Sequence, residues 1–194
     1  MFSPFRFAGR SYSCGIGLAN LPFSIDPALH RSFWGIAYTP FGGVPPLCGA
    51  TLSHVTKDIK KLSQLTPRLR LYGSDCNITS LVLNAMEDSN VDMSVFPAIS
   101  LEGSDESYVT QKRALTQALA DYGQNRVLGI VVGNGRTLNT GSRNATSTNA
   151  TTGVVERMAE VRNDLVSLGY SDIPVGTSDS GETITQDLVD GADL

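Results

Sequence analysis

The chain has 194 residues, 41% of them hydrophobic and 18% charged, with a formal net charge of −4. That balance excludes an intrinsically disordered chain, and the absence of a dense Lys/Arg block removes the electrostatic footprint of a nucleic-acid or anionic-membrane partner. No apolar run of about 18 residues predicts a membrane-spanning helix. The length suits one domain but is short for a complete (β/α)8 barrel, which needs ~250 residues.

Residues 1–31 hold Phe, Pro, Ser and Gly without a period and read as an irregular extension with no apolar core of a secretory signal. Phe33 to Thr39 is then a short apolar and aromatic run closed by Pro40 and Gly42-Gly43, the pattern of a buried strand and its loop. Leu52, Val55, Ile59, Leu62 and Leu65 recur at three- and four-residue steps and predict an amphipathic helix ended by Pro67. The pair repeats, with a strand over Leu69–Tyr72 and a helix from near Thr79 to near Asn90. A third strand is expected over Met93–Ile99, with Pro97 awkward inside it. Ser104 or Asp105 caps a long helix through Tyr122 that Gly123 closes. Val127–Val132 forms a fourth strand, followed by a polar loop from Gly133 to about Thr148. A helix carrying Val154, Met158, Val161 and Leu165 follows, then a fifth strand over Ile173–Thr177 and a further helix between Thr183 and Asp193.

Five strands alternating with helices build a parallel sheet, because each crossover returns the next strand in the same direction. An open doubly wound sheet and a barrel both satisfy this pattern, although no G-x-G-x-x-G or P-loop follows the first strand. In both architectures ligands bind at the C-terminal ends of the strands. Those ends offer Tyr38, Tyr72, Asp75, Glu102, Asn134 and Asp179. Aromatic faces stack on the C–H faces of a sugar ring, and amides and carboxylates bond its hydroxyls. The alternative is that these are the ordinary polar loop residues of any α/β protein. Three cysteines, Cys14, Cys48 and Cys76, match no zinc spacing, and no metal or cofactor is expected. Asn77, Asn144 and Asn149 begin N-x-S/T sequons, the last two in a Ser/Thr/Asn-rich loop. They are candidate glycosylation sites of a secreted protein, or chance sequons of a cytosolic one.

Gly35–Pro40, Arg68–Asn77, Val132–Asn134 and Ile173–Gly181 together resemble a fungal glycoside hydrolase of family 17, a group of β-1,3-glucan hydrolases and glucanosyltransferases of the cell wall. The similarity runs from about Phe33 to Leu194. It implies an α/β fold, an incomplete (β/α)8 TIM barrel of about five parallel βα units over residues 32–194. It also implies β-1,3-glucan as partner and a secreted or cell-wall location. Enzymes of this family retain configuration, with an acid and a nucleophile, both Glu, ~5–5.5 Å apart. The acid belongs to a Gly-Asn-Glu motif, which here reads Gly133-Asn134-Gly135, and glycine cannot protonate a leaving oxygen. The nucleophile belongs to a seventh strand, beyond the five units read here. The expectation is therefore a chain without either catalytic Glu, inactive as it stands. Glu102 and Asp179 stand on strand ends too far apart to replace a retaining pair. Two alternatives remain: a non-catalytic glucan-binding surface protein using Tyr38, Tyr72, Asn134 and Asp179, and a gene-model fragment. Cys48 and Cys76 fall on adjacent loops of the barrel mouth, where a disulfide fits, with two reduced thiols as the alternative. Unpaired edges of a partial barrel would favour self-association.

Overall fold

The computed structural model describes residues 23–134, 147–180 and 182–194. Strands and helices alternate as β1 (Ile36–Ala37), α1 (Leu52–Leu62), β2 (Arg68–Arg70), α2 (Ile78–Asp88), β3 (Ser94–Phe96), β4 (Ala98–Ile99), α3 (Asp105–Tyr122), β5 (Ile130–Val132), α4 (Ser147–Ser167), β6 (Val175–Gly176) and α5 (Gln186–Gly191). A 3-10 turn, Asp75–Asn77, precedes α2. Every strand pair is parallel, in the orders β1-β2-β3 and β4-β5-β6. No helix among the described residues is long and apolar enough to cross a membrane.

The third strand is not continuous as expected. Pro97 has no N–H to give a ladder, and it divides the segment into β3, which pairs with β2, and β4, which pairs with β5. Its carbonyl still accepts from Val131 N at 2.9 Å, and Val95 bridges Val127, so the two sheets follow on from each other. The first and fourth strands are also shorter than their apolar runs, and the run leading into β1 is not buried as expected: Phe33 and Trp34 are exposed, so apolar character alone fixes neither burial nor ladder bonds.

Local chemistry places the helices. The Thr51 and Ser104 hydroxyls accept from His54 N and Ser107 N at the starts of α1 and α3, and Asp105 and Glu106 lie in the first turn of α3, where the dipole favours them. Gly123 closes α3. Val55 and Ile59 of α1 and Val82, Leu83 and Met86 of α2 bury against Leu69, Leu71 and Val95. Tyr108, Leu115 and Leu119 of α3 and Val154, Met158, Val161 and Leu165 of α4 bury against Ile99, Ile130, Val132 and Val175. Each fully buried Leu, Ile or Met contributes about 1.5–3 kcal/mol. The alternation along β2 sends Leu69 to the helices, and Arg68 and Arg70 to the opposite face.

Two outer features bound the sheets. Residues before β1 lie on the α1–β2 connection: Asp26 N donates to Gln64 Oε1 at 2.7 Å and Arg31 Nε to Ser63 O at 2.9 Å. Beyond β6, Asp193 N donates to Val175 O at 2.8 Å, while the Asp193 carboxylate accepts from Val175 N at 3.0 Å and Arg162 Nε at 2.9 Å. Leu194 lies against Gly129 and Gly176, where a side chain on either glycine would collide with it. Asp193 and Leu194 thus lie along the edge of β6.

Candidate functional site

The C-terminal ends of the strands open into a cavity of about 570 Å³. Tyr38 and Thr39 follow β1, Tyr72 and Asp75 follow β2, Ser100 and Glu102 follow β4, and Asn134 follows β5; all line it. Val44 and Pro45 of the β1–α1 loop and Ile78 at the start of α2 complete an apolar wall. Five of the six residues proposed from the sequence therefore meet. Asp179 does not. Its carboxylate accepts from Ser180 N at 2.8 Å and from the Thr183 hydroxyl at 2.5 Å, which shapes the turn leading to α5.

Burial and hydrogen bonding set the chemistry of several lining groups. The Tyr38 hydroxyl donates to Asp58 Oδ2 of α1 at 2.8 Å; burial and that carboxylate hold it protonated, far above the usual phenol range. Its single O–H donor is thereby committed, which leaves a ligand the ring and the oxygen's acceptor capacity. Tyr72 is 44% exposed, with the Arg70 guanidinium 5.3 Å from its ring centroid. Burial raises the Asp75 carboxyl above its ordinary value. Glu102 is exposed at the rim, its backbone N–H donating to Ser100 Oγ at 3.1 Å. Arg70 Nη2 donates to Asn134 Oδ1. The turn that delivers Asn134 uses Gly133 at φ +82°, a conformation costly for other residues.

The wall is cross-linked. Cys48 and Cys76 form a disulfide, with Cα atoms 5.1 Å apart, tying the β1–α1 loop to the turn that carries Asp75. Asn77, beside that bridge, is exposed at the N-terminus of α2, but Thr79 of its sequon is buried with its hydroxyl 2.9 Å from Ser74 Oγ. Asn149 falls in the first turn of α4 rather than in a loop, because that helix starts at Ser147; its side chain lies outside the described residues. Gly135, Asn144 and Cys14 also lie outside them.

Two residues that shape the site were not singled out from the sequence. Gln111 of α3 is fully buried beneath the cavity. Its Oε1 accepts from Ser74 N at 3.2 Å and Ser100 N at 2.9 Å, and its Nε2 donates to Ser100 O at 3.1 Å and Ser107 Oγ at 3.3 Å. The signal was a polar residue on the apolar stripe Tyr108, Leu115, Ala118 and Leu119 of that helix. Arg70 was signalled by the Arg-Leu-Arg-Leu alternation of β2, which turns arginines away from the helices. Aromatic faces, carboxylates and an amide around one open cavity suit a neutral polyhydroxylated ligand. No cluster of three metal-ligating side chains occurs among the described residues.

The profile of the BtgE/BtgC glycoside hydrolase domain matches residues 35–194. The probable glucan endo-1,3-beta-glucosidase btgC of Aspergillus flavus is 36% identical over 174 residues, 87% of this chain and 25% of that protein. Its Aspergillus fumigatus counterpart is 34% identical over 171 residues, 86% of this chain and 24% of that protein. The chain thus spans about a quarter of the length of the curated relatives it matches. An active-site mutant of Rhizomucor miehei beta-1,3-glucanosyltransferase, in complex with laminaritriose, shares the fold with a TM-score of 0.63 and 22% identity, over 83% of this chain and 55% of that one. This chain belongs to the BtgE/BtgC glycoside hydrolase domain family.

Proposed function

We propose that residues 32–194 are part of a β-1,3-glucan-active glycoside hydrolase barrel, and that the cavity at the strand ends holds a segment of the glucan. The observation that carries this reading is the convergence of Tyr38, Tyr72, Asp75, Glu102 and Asn134, from the ends of four successive parallel chain segments, on one cavity. The relatives named as glucan endo-1,3-beta-glucosidases supply the substrate class. The two tyrosine rings take the hydrophobic faces of glucosyl units, while Asn134 and the carboxylates bond their hydroxyls. Turnover is not proposed for these 194 residues. Gly135 follows Asn134 where the family places its acid, and a glycosidic oxygen cannot leave as an alkoxide without a proton donor. The disulfide supports a secreted or cell-wall location, where an oxidising environment keeps it closed.

Titration of the 15N-labelled chain with laminari-oligosaccharides tests the reading. Saturable shifts at Tyr72, Ser100 and Asn134 are expected, together with no release of reducing ends from laminarin-type β-1,3-glucan. Absence of binding overturns the site. Enzymatic release of reducing ends, abolished by mutation of Asp75 or Glu102, overturns the non-catalytic half.

A further inference from the structure

Resting on the glucan reading, we infer that Arg70 is a positioning residue: from behind the cavity wall it fixes the Asn134 amide so that its Nδ2–H groups, not its oxygen, face the ligand. Arg70 does not line the cavity, whereas both groups it touches, Tyr72 and Asn134, do.

The direction of the amide follows from the donor alone. A guanidinium has five N–H donors and no acceptor. The atom of Asn134 that meets Arg70 Nη2 must therefore be Oδ1, and the choice between the two amide orientations is settled by chemistry. With Oδ1 turned to Arg70, the two Nδ2 hydrogens point the other way, so this corner favours an acceptor such as a hydroxyl oxygen. Asp75 and Glu102, elsewhere on the lining, supply the acceptors.

Arg70 is itself held for this purpose. The backbone places it on the face of β2 opposite Leu69, which the core retains. The Tyr72 ring lies against its guanidinium at 5.3 Å. Among the described residues no carboxylate forms an ion pair with it. Its Nε is buried and has no hydrogen-bond partner there. The hydrogen bond from Nη2 to Asn134 and the contact with the Tyr72 ring are what tie the guanidinium to the cavity lining.

The test separates this inference from the glucan reading. Side-chain amide signals of Asn134 are followed by NMR in the 15N-labelled 194-residue chain without ligand, and laminaritriose affinity is measured beside them. In Arg70→Met the Asn134 NH2 signals should shift and sharpen towards those of a freely rotating amide, and affinity should fall about tenfold. Arg70→Lys, which keeps the charge and loses the planar fork, should lie between, and it serves where the Met variant does not fold. In an Asn134→Ala background the Met substitution should change affinity by less than twofold. Unchanged Asn134 signals in both Arg70 variants overturn the inference, as does a tenfold loss that persists without Asn134. If the unmutated chain fails to bind laminaritriose, the glucan reading falls, and the amide signals still decide the role of Arg70.

Discussion

Replacing Gln111 by Leu should undo the floor of the cavity. The side chain makes four hydrogen bonds in a site with no solvent exposure. Leucine keeps the approximate volume but strands the backbone N–H groups of Ser74 and Ser100. Each unsatisfied buried donor costs about 1–3 kcal/mol, and the added apolar burial returns about 1 kcal/mol. The net loss is therefore about 1–5 kcal/mol, centred near 3 kcal/mol. For a chain of this size each kcal/mol is worth about 2–4 °C, so Tm should drop by roughly 10 °C. Urea unfolding monitored by circular dichroism gives the free energy directly, with an unchanged slope showing that the unfolded state is not the cause. A Gln111→Leu chain within 0.5 kcal/mol of the parent would refute the accounting, because it would mean that neither N–H depends on this amide.

Three further outcomes are expected. Replacing Cys48 and Cys76 together by Ser removes a link between residues 28 apart, and chain entropy puts the loss at about 3–4 kcal/mol; the urea midpoints of both chains measure it. Gly133→Ala should cost about 1–2 kcal/mol from backbone conformation alone, since the new methyl would meet Thr177 Oγ1 and Leu101 Cδ1 at ordinary contact distances of 3.4 and 3.5 Å; a neutral substitution on denaturation would contradict the left-handed turn. Glu160 bonds Lys112 and Arg157, and the Lys112 bond first, then Arg157, holds its carboxyl below the usual range. Its folded-state pKa is depressed, so its contribution is present above the unfolded value near 4.3 and fades as pH falls through the lower folded value. Glu160→Gln should cost ~0.5–1 kcal/mol at pH 7 and nothing at pH 2, as read from paired denaturation curves at the two pH values.

Much of the architecture was legible because its signals are local. Ser104, the acidic turn after it, the spacing of Tyr108, Leu115 and Leu119, and Gly123 jointly define α3 without reference to the rest of the chain. Strand ends were less legible, since Phe33 and Trp34 are apolar yet 55% and 71% exposed and carry no ladder. The start of α4 was hidden because Ser, Thr and Asn compete with the helix backbone, and packing by Val154 and Met158 overrides that preference. Tyr38, Tyr72, Asp75, Glu102 and Asn134 were found by counting to the ends of strands. The same count does not bring Asp179 to this cavity, because its carboxylate accepts from Ser180 N and the Thr183 hydroxyl close by. Gln111 lies on a helix, and Arg70, the last residue of β2, fell inside the strand expected over Leu69–Tyr72, so a search of the residues beyond the strands passed over both supports.

The interruption at Pro97 also bears on how the molecule comes apart. The two apolar cores have largely separate walls, α1 and α2 for one, α4 and α5 for the other. Helix α3 is the party wall, giving Ala118 to the first and Tyr108, Leu115 and Leu119 to the second, while Val127 packs against both. The arrangement predicts two cooperative units sharing one helix, to be read as two protection classes in amide hydrogen exchange. A destabilising change in α1 or α4 should raise exchange mainly in its own half, whereas loosening α3 should raise it in both and, through Gln111, at the cavity between them.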